Sequence, residues 1–120
     1  MIVRYARERG YKGKGKDQSL TLGADYFVLD VELRPNGLAN SFSVQRESDG
    51  TPVVFDCSIF NIIDPRLPEG WGFYDLSENY HRLCPNEFSG DFWDRFHDGD
   101  TEAEAIFETV AKKIEAFHSS

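Results

Sequence analysis

Tyr26-Phe27-Val28-Leu29-Asp30-Val31-Glu32-Leu33 places Phe27, Leu29, Val31 and Leu33 at period two, with Asp30 and Glu32 between the last three. Successive strand residues point to opposite faces, so this spacing predicts one half-buried strand. Its apolar side faces a core and its acidic side does not. Pro35-Asn36-Gly37 then ends it with turn chemistry, because Pro fixes φ and Asn-Gly tolerates positive φ.

The same alternation continues downstream. Ser41-Phe42-Ser43-Val44-Gln45-Arg46 puts Phe42 and Val44 inward, Ser48-Asp49-Gly50 turns the chain, and Pro52-Val53-Val54-Phe55 follows, a pattern that predicts a β-hairpin. Ile59-Phe60-Asn61-Ile62-Ile63 reads as another strand, ended by Asp64-Pro65. Trp71 to Leu76 and Tyr80 to Leu83 add two more around Ser77-Glu78-Asn79, and Leu20 with Leu22 suggests a short strand before Gly23.

Beyond Pro85 the period changes. Phe88, Phe92, Trp93 and Phe96 form a helical stripe, although Ser89-Gly90 argues against one continuous helix. After Gly99, Asp100 or Thr101 can cap a new helix whose apolar stripe runs Ala103, Ile106, Phe107, Val110, Ala111, Ile114, Phe117. Strands come first and helices last, which differs from the alternation that builds a parallel doubly wound sheet. The expected fold is therefore α+β: a mainly antiparallel sheet of about five strands with the C-terminal helices packed on one face. At 120 residues a single domain spanning 1–120 is expected.

Two facts of composition constrain function. Residues 1–16 carry six basic side chains (Arg4, Arg7, Arg9, Lys12, Lys14, Lys16) against Glu8 alone, whereas the remainder carries seven basic and twenty acidic ones. A basic, mobile segment over 1–18 is thus expected ahead of a strongly acidic body. Such a body repels the phosphate backbone of nucleic acid and attracts a basic partner. The first residues, Met1 to Arg9, lack the continuous apolar run of a signal peptide, and no stretch reaches the ~20 apolar residues that span a bilayer, so a cytoplasmic protein with no membrane partner is expected. Cys57 and Cys84 are too few for a disulfide scaffold and are expected to be free thiols.

Candidate catalytic patterns fall short on chemistry. Gly10-Tyr11-Lys12-Gly13-Lys14-Gly15-Lys16-Asp17 approaches a phosphate loop, but Asp17 stands where a hydroxyl should hold magnesium. His81 and Cys84 are three apart in a strand candidate, which points them to opposite faces. Neither Cys84 with the histidines nor Asp94, Asp98 and Asp100 have zinc or EF-hand spacing. An enzyme is not expected, nor any cofactor; the alternatives are a small hydrolase or nucleotide-binding protein using Lys16, Asp17, His81 or Cys84, or an uncharacterised protein-interaction domain. The feature that favours binding is the run Glu87, Asp91, Asp94, Asp98, Asp100, Glu102, Glu104, Glu108 beside Trp93, since charge steers an encounter and an aromatic anchors it. Asp91, Trp93, Asp94, Asp98, Asp100, Glu102, Glu104 and Glu108 are accordingly the expected partner-binding residues.

The segments Asp49-Gly50-Thr51-Pro52-Val53-Val54-Phe55-Asp56, Ile59-Phe60-Asn61-Ile62-Ile63-Asp64 and Phe92-Trp93-Asp94-Arg95-Phe96-His97-Asp98-Gly99-Asp100, followed by a terminal helix, resemble small acidic bacterial immunity proteins of polymorphic or contact-dependent growth inhibition toxin systems. The resemblance covers roughly residues 24–117, on strand-to-helix order and turn residues. It implies that the chain binds and neutralises a cognate basic toxin domain, such as a nuclease.

Overall fold

A computed structural model describes residues 1–7, 19–35 and 38–119. Among these residues eight strands and two α-helices follow one another: β1 (Ile2–Tyr5), β2 (Asp25–Phe27), β3 (Asp30–Leu33), β4 (Ser41–Gln45), β5 (Pro52–Asp56), β6 (Phe60–Asp64), β7 (Trp71–Ser77), β8 (Tyr80–Pro85), α1 (Phe92–His97) and α2 (Thr101–Ser119). The fold is α+β, as expected, with all described strand pairs antiparallel. There are two sheets rather than one. A three-stranded sheet has the order β2-β1-β6, and a five-stranded sheet has the order β5-β4-β3-β8-β7.

The stretch from Tyr26 to Leu33 is where they meet, and it is not one strand. The Val28 N–H donates to the Met1 carbonyl (3.0 Å), continuing the small sheet, while the Leu29 N–H donates to the Ser43 carbonyl (2.8 Å), beginning the large one. The apolar stripe is therefore divided between two cores. Val28, Val31 and Leu33 join Val3, Tyr5, Phe42, Val44, Phe55 and Phe60 between the sheets. Phe27 and Leu29 instead join Cys84, Phe88, Phe92, Ala103, Phe107, Val110 and Ile114 under the helices. Because the helices cover the second face of the large sheet, Asp30 and Glu32 are buried there, at 2% and 6% exposure, and do not lie on an open face. A sheet covered on both sides has no solvated side to give its polar residues.

The hairpin of β4 and β5 forms with Gly50 at φ +73, the positive φ that its turn requires. Leu20 is buried in a turn, not in a strand, and Gly23 (φ +90) donates to the Tyr5 carbonyl at 2.7 Å. The basic N-terminal segment also departs from expectation. Residues 2–5 form the central strand of the small sheet, with Val3 and Tyr5 fully buried, so this part is core rather than tail. Arg4 is paired with Asp25 at 2.7 Å, and Arg7 donates to the Ser58 and Phe60 carbonyls and to Asn61. The phosphate-loop-like run, including Lys16 and Asp17, lies outside the described residues.

The last turn of α2 returns to β1 and β6 through His118. Its Nε2 lies 3.0 Å from the Met1 amine and its Nδ1 3.2 Å from Asp64, while its ring stacks on Phe27. An ammonium donor at Nε2 requires a neutral imidazole with its proton on Nδ1. Burial, reinforced by the Met1 amine, holds the His118 pKa below its ordinary value despite Asp64. The unfolded chain thus takes up this proton first as pH falls. Stability from the buried neutral ring is complete above about pH 6.5 and declines as pH drops toward the lower folded value. The midpoint of thermal unfolding should fall between pH 7 and 5, and His118→Gln should flatten that part of the profile; an unchanged slope in the variant would remove His118 as the cause.

Candidate functional site

The turn Asn86–Phe88 and the helices α1 and α2 form a layer on the large sheet because Phe88, Phe92 and Phe107 bury their rings together there. Phe88 stacks on Phe92 at 4.7 Å between centroids and on Phe107 at 5.9 Å, and Trp93 packs against both Phe88 and Phe92 at 5.0 Å. Gly99 (φ +82) ends α1. Asp100 then caps α2, its Oδ1 accepting from the Glu102 and Ala103 amides at 2.9 and 3.3 Å. Its other oxygen accepts from Arg95 at 2.9 Å.

These contacts sort the expected partner-binding residues. Asp91, Asp94, Asp98, Glu102, Glu104 and Glu108 are solvent-exposed on the two helices and their ends. Asp91, Asp94, Asp98, Glu104 and Glu108 form no ion pair among the described residues, whereas Glu102 lies 3.9 Å from Arg95. The acids do not form one patch. At ~100° per residue Glu102 and Glu104 diverge by about 200° around α2. Glu102 stands beside Glu87, Ile106 and Thr109, and Glu104 and Glu108 beside Thr101 and Ala105. Asp100 is committed to its cap and to Arg95. Asp100→Ala should therefore lower the thermal midpoint clearly, while Asp98→Ala, at an exposed side chain, should leave it nearly unchanged. Equal effects in thermal melts would refute this division.

Trp93 is half-buried, and its indole turns toward a cleft instead of projecting from the surface. The cleft, about 190 Å³, is lined by Asp30, Glu32, Ser43, Pro52, Val54, Arg82, Trp93 and His97. Strand register builds it. Asp30 opposes Ser43, Glu32 opposes both Ser41 and Arg82, and Ser43 opposes Val54, so these side chains share one face of the large sheet. Glu32 accepts from Arg82 (3.1 Å), Tyr80 (3.0 Å) and Arg34 (3.2 Å). Burial pushes its carboxyl up, but those donors outweigh the burial and hold it below the usual range. Asp30 behaves oppositely. Its burial dominates and pushes its carboxyl up, against the opposing pull of the Ser43 hydroxyl, the Arg82 guanidinium and the Trp93 indole N–H. Arg82 Nε lies 3.7 Å from Asp30 Oδ2, too long for a hydrogen bond. Asp30 Oδ1, Arg82 Nε and Trp93 Nε1 are buried and make no well-aligned hydrogen bond among the described residues, although the indole N–H stands close enough to Asp30 to favour its ionised form.

His81 and Cys84 are not brought together. His81 stacks on Phe73 and lies 2.8 Å from Asp75, while Cys84 is fully buried among the helix-side residues, where burial pushes its thiol up to about 12. Both cysteines are free. Among the described residues no cluster of His, Cys, Asp and Glu has metal-binding geometry, and no helix is long and apolar enough to cross a membrane.

No family model, curated protein or solved structure matches this chain. The site is thus read from its own chemistry. Sequence reading reached Trp93 and the acids around it but missed Asp30, Glu32, Ser43 and Arg82. Their signal was the alternation of Ser41 and Ser43 with Phe42 and Val44 in the strand that pairs with Asp30 and Glu32, small hydroxyls suited to a covered polar face.

Proposed function

We propose that the chain is an immunity-type protein, which binds and neutralises a basic bacterial toxin domain through exposed acidic side chains of its helical layer. The observation that carries this reading is the set of exposed carboxylates of Asp91, Asp94, Asp98, Glu104 and Glu108 at the two helices, which form no ion pair among the described residues. Fixed negative charge of this density raises the encounter rate with a basic surface and discourages wrong partners by like-charge repulsion. A toxin that cuts nucleic acid needs a basic cleft for phosphates, and carboxylates on a rigid helical layer can occupy it. The resemblance to small acidic immunity proteins supports the same reading, including action in the cytoplasm.

The test is co-expression with the product of the neighbouring gene, which this reading requires to be a toxin-like domain. A complex that survives co-purification at low salt and weakens as salt rises is expected, since exposed charges lose their reach as the Debye length shrinks from about 10 Å at 0.1 M to about 3 Å at 1 M. Failure to form any complex at low salt would refute the proposal.

A further inference from the structure

Among the described residues the two sheets leave four edges, β2, β6, β5 and β7. Folded proteins keep such edges short, or block them with proline and basic side chains, because an unpaired strand is a template for another. Three of the four follow this rule. β2 has three residues, β5 opens on Pro52, and β6 is tied by Arg7, which donates to the Phe60 carbonyl and to Asn61. β7 does not. It runs for seven residues without lysine, arginine or proline. Its inner side pairs with β8, and its outer N–H and C=O groups make no backbone hydrogen bond among the described residues. A register shift between Asp75 and Ser77 limits the regular edge to residues 71–75.

The side chains on this edge select what can pair with it. Phe73, at its centre, is 60% exposed and stacks on His81 at 5.0 Å. Asp75, two positions on and therefore on the same face, lies 2.8 Å from His81. The opposite face is closed, because the Tyr74 side chain lies over Gly72 and its hydroxyl donates to Asn86 in the turn that begins the helical layer. The edge is thus held in place and borders that layer. Residues 67–81 include Glu69, Asp75 and Glu78, all exposed, and no lysine or arginine. A second copy of this chain, itself carrying a net charge of −8, would bring the same acids together. A strand with apolar and basic side chains matches both Phe73 and the acids, since opposite charges facing each other across a strand pair stabilise it and like charges destabilise it.

We propose that the outer edge of β7 is a docking site for an extended segment of a basic protein. The segment adds to the large sheet as a further antiparallel strand, with an apolar side chain against Phe73 and a basic one against Asp75. Main-chain hydrogen bonds then supply affinity, and these two positions supply selectivity. This rests on the reading of the partner as a basic protein, and it gives that partner a second contact beside the acids of the helical layer.

The edge can be tested without the partner. The probe is the blocked peptide Lys-Thr-Lys-Thr-Val-Thr-Lys, titrated at low salt into the full chain while backbone amide resonances are followed by NMR. Successive N–H groups of a strand point to opposite sides, so saturable shifts are expected at alternate residues within 71–75. Replacing every lysine of the peptide with glutamate should weaken binding at least tenfold. So should N-methylation of alternate peptide amides, in whichever of the two phases removes the donors that face β7. Phe73→Lys should abolish the shifts, whereas Val54→Lys, at an exposed position on the far edge strand β5, should not. Should Phe73→Lys not fold, the N-methylated peptides decide the matter on the parent chain. Shifts that avoid β7, an equal response to the glutamate peptide or to both N-methylated ones, or a folded Phe73→Lys that responds like the parent would overturn the proposal. So would broadening of the β7 resonances that grows with protein concentration without peptide, the mark of a second copy on this edge. Peptide binding at β7 with no toxin complex would count against the toxin reading alone, and a toxin complex that leaves the β7 amides unshifted against the edge alone.

Discussion

Phe88→Ala is expected to lower the free energy of unfolding by about 3–5 kcal/mol, the usual cost of emptying a buried phenylalanine site. Phe88 is fully buried and in ring contact with Phe92, Trp93 and Phe107, so it joins the turn after β8 to both helices. Its removal leaves those rings facing a cavity, and the neighbours can close it only by shifting the helical layer off the sheet. A loss of this size is a large part of the 5–15 kcal/mol that holds a typical domain together. Urea unfolding followed by far-ultraviolet circular dichroism measures it. Phe73→Ala is the control, because Phe73 is 60% exposed and its loss should change stability by no more than about 0.5 kcal/mol. Comparable losses in the two variants would mean that the stacked rings are not the centre of the helical layer.

The second large effect concerns association and not stability. Reversing the charge of four exposed acids together, with Asp94→Lys, Asp98→Lys, Glu104→Lys and Glu108→Lys, should leave the chain folded with a moderately lower thermal midpoint: none of the four side chains makes an ion pair among the described residues, but Asp94 and Glu104 lie in the first turns of α1 and α2, where a lysine opposes the helix dipole. Association with the basic partner should slow by roughly 10 to 10³-fold at low salt, the range that electrostatic steering supplies. The difference should narrow as salt is added. Rates measured by stopped-flow fluorescence across ionic strength separate this from loss of fold. A rate that is equally slow for parent and variant at all salt concentrations would show that the acids do not steer.

How much of this was legible in the residues depends on the range of the interaction that decides each feature. Local signals carried well: the hairpin at Asp49-Gly50, the stop at Asp64-Pro65, the cap at Asp100 and the apolar stripe of α2 all depend on neighbours within a few positions. The division of Tyr26 to Leu33 did not, because it is made by hydrogen bonds to Met1 and Ser43, residues distant in sequence. For the same reason Asp30 and Glu32 read as a solvated face. Their burial follows from the helical layer that only the last thirty or so residues supply, and the ion pair that accommodates Glu32 comes from Arg82, fifty positions away. The N-terminal basic residues misled in the opposite direction. Arg4 lies next to two side chains that are fully buried, and charge density outweighed the Val3 and Tyr5 alternation that marks a strand.

The proposed function meets its most direct test in growth. If the reading holds, the neighbouring gene encodes the toxin: cells expressing its product alone should stop growing, and should recover when the chain is co-expressed. The four-lysine variant, produced at the same level and shown to be folded, should protect markedly less. Full recovery with the parent and poor recovery with the variant is the predicted result. No recovery with the parent, or equal recovery with both, would contradict the account of an acidic surface that captures a basic toxin.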